Sequence, residues 1–88
     1  MNENAEDIAA RTRTYLLDEY LPGEPPDSLG NSTPLITSGI LDSIGTVKLA
    51  SFLEGEFGIE LEAHEMSVDL LNTIDDITKL VLSKRPAA

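Results

Sequence analysis

Apolar residues recur at helical spacing in three stretches of this chain and lose all period in a fourth. Ile8, Thr12, Tyr15, Leu16 and Tyr20 fall three and four apart, which predicts a first helix from about Ala5 to Tyr20 with one inward stripe. Asn4 stands as its N-cap with Asp7 three residues on, and Pro22-Gly23 ends it. From Leu21 to Leu41 the period is gone, because Pro22, Gly23, Pro25, Pro26, Gly30, Pro34 and Gly39 interrupt any helix or central strand. About twenty irregular residues is a long connection for a small domain, so it calls for a functional reason. Leu35, Ile36, Ile40 and Leu41 can pin it across the helices. The part from Leu21 to Asn31 has no such anchor except Leu29, and is expected to be the moving section of a loop spanning about 21–34.

A second helix follows. Asp42 can cap it, and Gly58 suits the left-handed position after its last turn. Thr46, Leu49, Ala50, Leu53 and Phe57 share one face and are expected to be core. Ile44 and Val47 lie on a different row, continued by Ser51 and Glu54. Apolar residues at that spacing are either further core or a small contact patch. Gly45 and Gly55 each cost roughly 1 kcal/mol relative to alanine in a helix interior, so this helix depends on packing. Ile59-Glu60-Leu61 reads as an extended link with alternate apolar residues. Ser67 or a neighbour starts a short helical turn through Leu70-Leu71, and Thr73 caps a last helix. Asp75 and Asp76 in its first turn, and Lys84 and Arg85 in its last before Pro86, suit the helix dipole at both ends. Ile74, Ile77, Leu80 and Val81 face inward. The expected fold is all-α: a four-helix bundle of three long helices and a short third one, a single domain over 1–88 with its core from about 5 to 83.

Composition narrows the functions available. The chain has 88 residues, no cysteine and a formal net charge of −10. Disulfides and thiolate metal sites are thereby excluded. The acidity argues against nucleic acid and anionic membranes, which both need a basic surface. No apolar run approaches a membrane span, and the acidic start Met1–Asp7 lacks a basic secretory leader, so a cytoplasmic location is expected. The charge is unevenly placed: between Asp42 and Asp76 lie Asp42, Glu54, Glu56, Glu60, Glu62, Glu65, Asp69, Asp75 and Asp76, against Lys48 as the only base. Such a surface suits docking onto basic patches of partner proteins.

Ser43 is the one candidate for chemistry. It stands where the long loop meets the second helix, at an end whose open N–H groups and dipole favour an attached anion. As a nucleophile it would need a fixed histidine, oxyanion donors and a dry pocket. The single His64 lies in an acidic segment and is expected at the surface, so the chain is read as no enzyme. Metal sites are not expected: no stretch has the alternating oxygens and central glycine of an EF-hand, and zinc has no cysteine and one imidazole. Gly39, Gly45, Gly55 and Gly58 match no nucleotide-binding loop. Ser43 is thus expected to be modified. The alternative is an unmodified acidic helical adaptor that binds a basic partner protein, in which Ser43→Ala would leave function untouched.

The run Gly39-Ile-Leu-Asp-Ser-Ile-Gly-Thr46, with Thr33–Ser38 before it, Phe57-Gly-Ile-Glu-Leu61 after it and Glu65–Ile74 beyond, resembles the acyl and peptidyl carrier proteins in order over Thr33 to about Val81. The resemblance implies a 4′-phosphopantetheine arm on Ser43, placed by a phosphopantetheinyl transferase that also reads Asp42 and Ile44. It implies a terminal thiol holding an acyl or aminoacyl group as a thioester, and a monomer that presents this cargo to a downstream transferase or synthase. The partner surface would comprise Ile44, Val47, Glu54 and Glu56. Lys48 and Gly55 stand where fatty-acid carriers are typically acidic. Gly39–Val47 is more similar to D-alanyl carriers and to free-standing carriers served by adenylating acyl or aminoacyl ligases, which implies a specialised biosynthetic pathway.

Overall fold

A computed structural model of the chain describes residues 4–84. Four α-helices follow one another: α1 (Ala5–Tyr20), α2 (Ser43–Phe57), α3 (Val68–Leu71) and α4 (Ile74–Lys84). Single 3₁₀ turns at Pro26–Ser28 and Ala63–Glu65 punctuate the two connections, and no strand forms among the described residues. This is the all-α bundle with three long helices and a short third. Arg85 and Pro86, expected to close the last helix, lie outside the described residues.

The helix ends obey the expected chemistry. The Asn4 side chain accepts a hydrogen bond from Asp7 N–H at 2.9 Å, and the Thr73 hydroxyl accepts one from Asp76 N–H at 3.0 Å. Gly58 takes φ +67° and ends α2, its N–H donating to Glu54 C=O at 3.0 Å. α1 and α4 pack together and α3 packs on α4. Ile8, Leu16, Leu49, Leu53, Ile74, Ile77 and Val81 meet in a core that excludes water. Thr12 and Thr78 are buried within it, and their hydroxyls donate to Ile8 C=O and Ile74 C=O one turn back, both at 2.8 Å. Tyr15 and Tyr20 belong to the inward stripe but stay half-buried, because they reach the rim between α1 and α2.

The long loop is tied at both ends. Leu29 is buried, and the Arg13 guanidinium on α1 donates through Nε to Leu29 C=O at 3.0 Å and through its terminal nitrogen to Asn31. Asp75 N–H donates to Asn31 C=O at 3.0 Å. Leu35 and Leu41 are buried, with Ile36 and Ile40 partly so, as their apolar character requires. The Ile59–Leu61 link buries its two apolar ends and exposes Glu60.

The two glycines within α2 occupy opposite circumstances. A Cβ on Gly55 would meet nothing within 4 Å. Gly55→Ala is therefore expected to stabilise the fold by about 1 kcal/mol and raise the melting temperature by roughly 4–8 °C. A Cβ on Gly45 would lie 3.1 Å from Asp42 Oδ1 and 3.2 Å from Tyr20 Oη, crowding the cap that starts α2. Gly45→Ala should then lose about 1 kcal/mol despite its better helix propensity. Urea titration of both variants checks the opposite signs.

Lys84 at the end of α4 reaches Glu65 Oε1 at 2.9 Å, with side chains only 23% and 13% exposed. Glu65 Oε1 also accepts from Glu62 N–H at 2.9 Å, closing a capping box around the second 3₁₀ turn. The Glu62 N–H first, and the Lys84 ammonium second, hold the Glu65 carboxyl below its ordinary range. Glu65 in turn raises the Lys84 ammonium above its own. A depressed carboxyl adds stability that is present above the unfolded-state glutamate value of about 4.3, and loses it as the pH falls through the folded value. The stability gap between wild type and Glu65→Gln is thus expected at neutral pH and should close on acidification below that value. Urea midpoints measured across this window test it.

Candidate functional site

The site begins with a cap. Asp42 has extended backbone, and its carboxylate accepts from Gly45 N–H at 2.6 Å while its carbonyl accepts from Thr46 N–H at 2.9 Å and from the Thr46 hydroxyl at 2.8 Å. These bonds leave Ser43 and Ile44 N–H as the donors of the first turn without an acceptor among the described residues. Gly45 is buried because α1 ends against it: the Tyr20 hydroxyl donates to Gly45 C=O at 3.4 Å. The glycine that costs helix propensity thus lets the end of α1 approach the start of α2.

The loop before the cap is held from the other side of the bundle. Asn72, just after α3, accepts at its side-chain oxygen from Ile36 N–H at 2.8 Å and Thr37 N–H at 3.1 Å. Its own carbonyl accepts from Leu35 N–H at 2.6 Å. Leu41 N–H then closes back on Leu35 C=O at 2.8 Å. Ser43 is therefore presented by a braced loop, two residues beyond the buried Leu41.

Ser43 is exposed, and its hydroxyl makes no hydrogen bond among the described residues. Ser28, Ser38 and Ser83 instead donate to backbone carbonyls at 2.8, 2.6 and 2.7 Å. Ser32, Ser51 and Ser67 are also unbonded, yet none of them begins a long helix. Beside Ser43 lies a groove of about 550 Å³, whose walls include Ile36, Val47, Met66 and Val68. Ile44 is 68% exposed, Val47 54% and Val68 44%, so the apolar row on α2 is surface and not core.

The structure brings Asp42, Ser43, Ile44 and Val47 together at one end of α2. Glu54 and Glu56 lie two to three turns further along and have partners within the fold. Glu54 accepts from Leu61 N–H at 2.9 Å and so fixes the link after α2. Glu56 pairs with Arg11 of α1 at 3.0 Å. His64 is exposed, as expected. It lies with Glu62 and Glu65 within ligand reach of one another, a grouping the sequence reading passed over. The Lys84 ammonium pairs with Glu65, and both glutamates serve the capping box around the second 3₁₀ turn, so the grouping has a structural role. Sequence reasoning also missed Asn72, Val68 and Met66: an asparagine after an apolar pair signals a helix end, but nothing local says which loop it holds.

Residues 21–81 match the model of a protein family described as the phosphopantetheine attachment site. The chain belongs to that family. No curated protein sequence matches it closely enough to count as a relative. Members of the phosphopantetheine attachment family carry 4′-phosphopantetheine covalently on a serine, so this is a carrier protein that bears the arm. The match covers more than the resemblance did, since it takes in the Pro-rich loop from residue 21 onward. The residues present fit such a group. An unbonded hydroxyl at a helix start can accept a phosphodiester where open N–H donors and the dipole favour an anion. The adjacent apolar groove offers a surface along which a chain could lie.

Proposed function

We propose that Ser43 bears the arm, and that the protein presents an acyl or aminoacyl group to partner enzymes in a specialised biosynthetic pathway. The observation that carries this is the exposed, unbonded Ser43 hydroxyl at the capped start of α2, within the segment that matches the family. When attached, the arm supplies a terminal thiol on which cargo is held as a thioester. Ser43 contributes its oxygen as the point of attachment. Asp42 holds the first turn in place through Gly45, and its negative charge pushes the phosphate toward solvent. Asn72 and the buried Leu35 and Leu41 keep the serine at a fixed height above the core.

A phosphopantetheinyl transferase loads this serine in our reading, and an adenylating acyl or aminoacyl ligase charges the thiol. A downstream transferase or synthase then takes the cargo. Ile44 and Val47, exposed on one row of α2 beside the serine, provide the apolar part of the partner contact. Glu54 and Glu56 add charge to it secondarily, because each already holds a hydrogen-bond partner within the fold. We further propose that the chain acts as a monomer in the cytoplasm, as one domain with its core from about 5 to 83. Loop motion in 21–34 would be centred on residues 22–28, which are all exposed. No observation favours the unmodified adaptor over this reading.

Peptide mapping tests the assignment. After modification with coenzyme A and a broad-specificity transferase, trypsin releases the segment Thr14–Lys48, which contains Ser28, Ser32, Ser38 and Ser43. Fragmentation should place the arm on Ser43. An arm on any of the other three would overturn the assignment while leaving the family intact.

A further inference from the structure

We propose that the groove between α1 and α2, on the side of α2 away from Ser43, is a second docking surface that accepts an arginine side chain of a partner protein. The groove measures about 440 Å³. Tyr15 and Phe52 line it as a parallel stack, with ring centroids 4.2 Å apart and planes at 11°. Tyr20 and Phe57 brace this pair by edge contacts at 6.3 Å, one on each ring. The short side chains of Ala10 and Thr14 leave the opening above it. At one end the Arg11–Glu56 pair spans from α1 to α2. Asp18 and Glu19 lie along the remaining edge, exposed and without an ion pair among the described residues.

An aromatic lining beside two unpaired carboxylates is complementary to a guanidinium. That flat cation stacks on a ring while its fork of N–H donors meets carboxylate oxygens, which a compact ammonium cannot do together. Burial, with a hydrogen bond to Tyr20 second, pushes the Tyr15 phenol up to about 12, so the ring stays neutral at any working pH. A second copy of the chain is a poor occupant. Each copy carries −10, and of its six Lys and Arg residues Arg11, Arg13 and Lys84 are already engaged within the fold. Position adds a reason. Phe52 follows Ser43 by nine residues, about two and a half helical turns, which places it on the opposite side of α2. A partner held there leaves the attachment serine and the groove beside it free for a second enzyme.

The test is a nuclear magnetic resonance titration of the ¹⁵N-labelled full chain with acetyl-Arg-Leu-Arg-amide and, separately, acetyl-Lys-Leu-Lys-amide. Saturable shifts are expected at Tyr15, Asp18 and Phe52, with the arginine peptide binding about fivefold more tightly than the lysine one. The double variant Asp18→Asn, Glu19→Gln alters only exposed side chains and should lose that preference, as should Phe52→Leu. Ser43→Ala should titrate like wild type, so this surface and the attachment reading stand or fall separately. Equal affinity for both peptides, or shifts centred on other acids such as Asp75 and Asp76, would overturn the proposal. So would self-association that the double variant abolishes, because it would assign the face to a second copy.

Discussion

Asn72→Leu is expected to lower stability by about 2 kcal/mol and the melting temperature by roughly 10 °C, although the side chain is neither charged nor fully buried. Leucine keeps the branching of the asparagine side chain but removes the acceptor for Ile36 N–H and Thr37 N–H, at 2.8 and 3.1 Å. Ile36 is partly buried in the turn that leads to Leu41, so its N–H does not simply regain water. The damage should be local before it is global. Amide hydrogen exchange is expected to speed up first in residues 35–41 and only later in α1 and α4. Uniform acceleration along the chain would show that Asn72 supports the bundle at large and not the approach to the serine.

Ile44→Asp is expected to slow partner-dependent turnover by about thirtyfold, the scale of losing an apolar anchor in an interface, with melting nearly unchanged. Two facts combine here. The side chain is 68% exposed, so an aspartate there desolvates nothing in the folded protein. It also follows Ser43 directly, so a partner that reaches the arm's root must pass over it. Val47→Asp should act in the same direction and more weakly, as the less exposed of the two. The measurement is initial rates with a phosphopantetheinyl transferase at limiting carrier concentration, beside a thermal melt. A collapsed melt would mean that these residues support the core; unchanged rates would remove them from the contact.

Much of this was legible in the sequence, for identifiable reasons. Caps and stripes are local: Asn4, Asp42 and Thr73 make the bonds their positions predict, and Leu49, Leu53 and Phe57 fall on the buried face. Ser43 stood out because it pairs a cap with a family-like context. What stayed hidden depends on chain segments far apart. Nothing near Asn72 in sequence identifies residues 35–37 as its partners, and nothing near Glu54 announces a bond to Leu61 N–H. Gly45 read as a weak point in a helix; only the arrival of Tyr20 shows why a side chain is unwelcome there. Phe52 lay outside the predicted core stripe, and its stack with Tyr15 required the α1–α2 geometry. The partner role of Glu54 and Glu56 rests on their charge and on the family resemblance, neither of which reveals the bonds they make within the fold.

The decisive measurement is the intact mass of the protein after incubation with coenzyme A and a broad-specificity phosphopantetheinyl transferase, run beside Ser43→Ala. The expected result is a gain of one phosphopantetheine on the wild type and none on the variant, with both giving the same helical circular dichroism. A variant that still gains the arm, or a folded wild type that never does, would contradict the account.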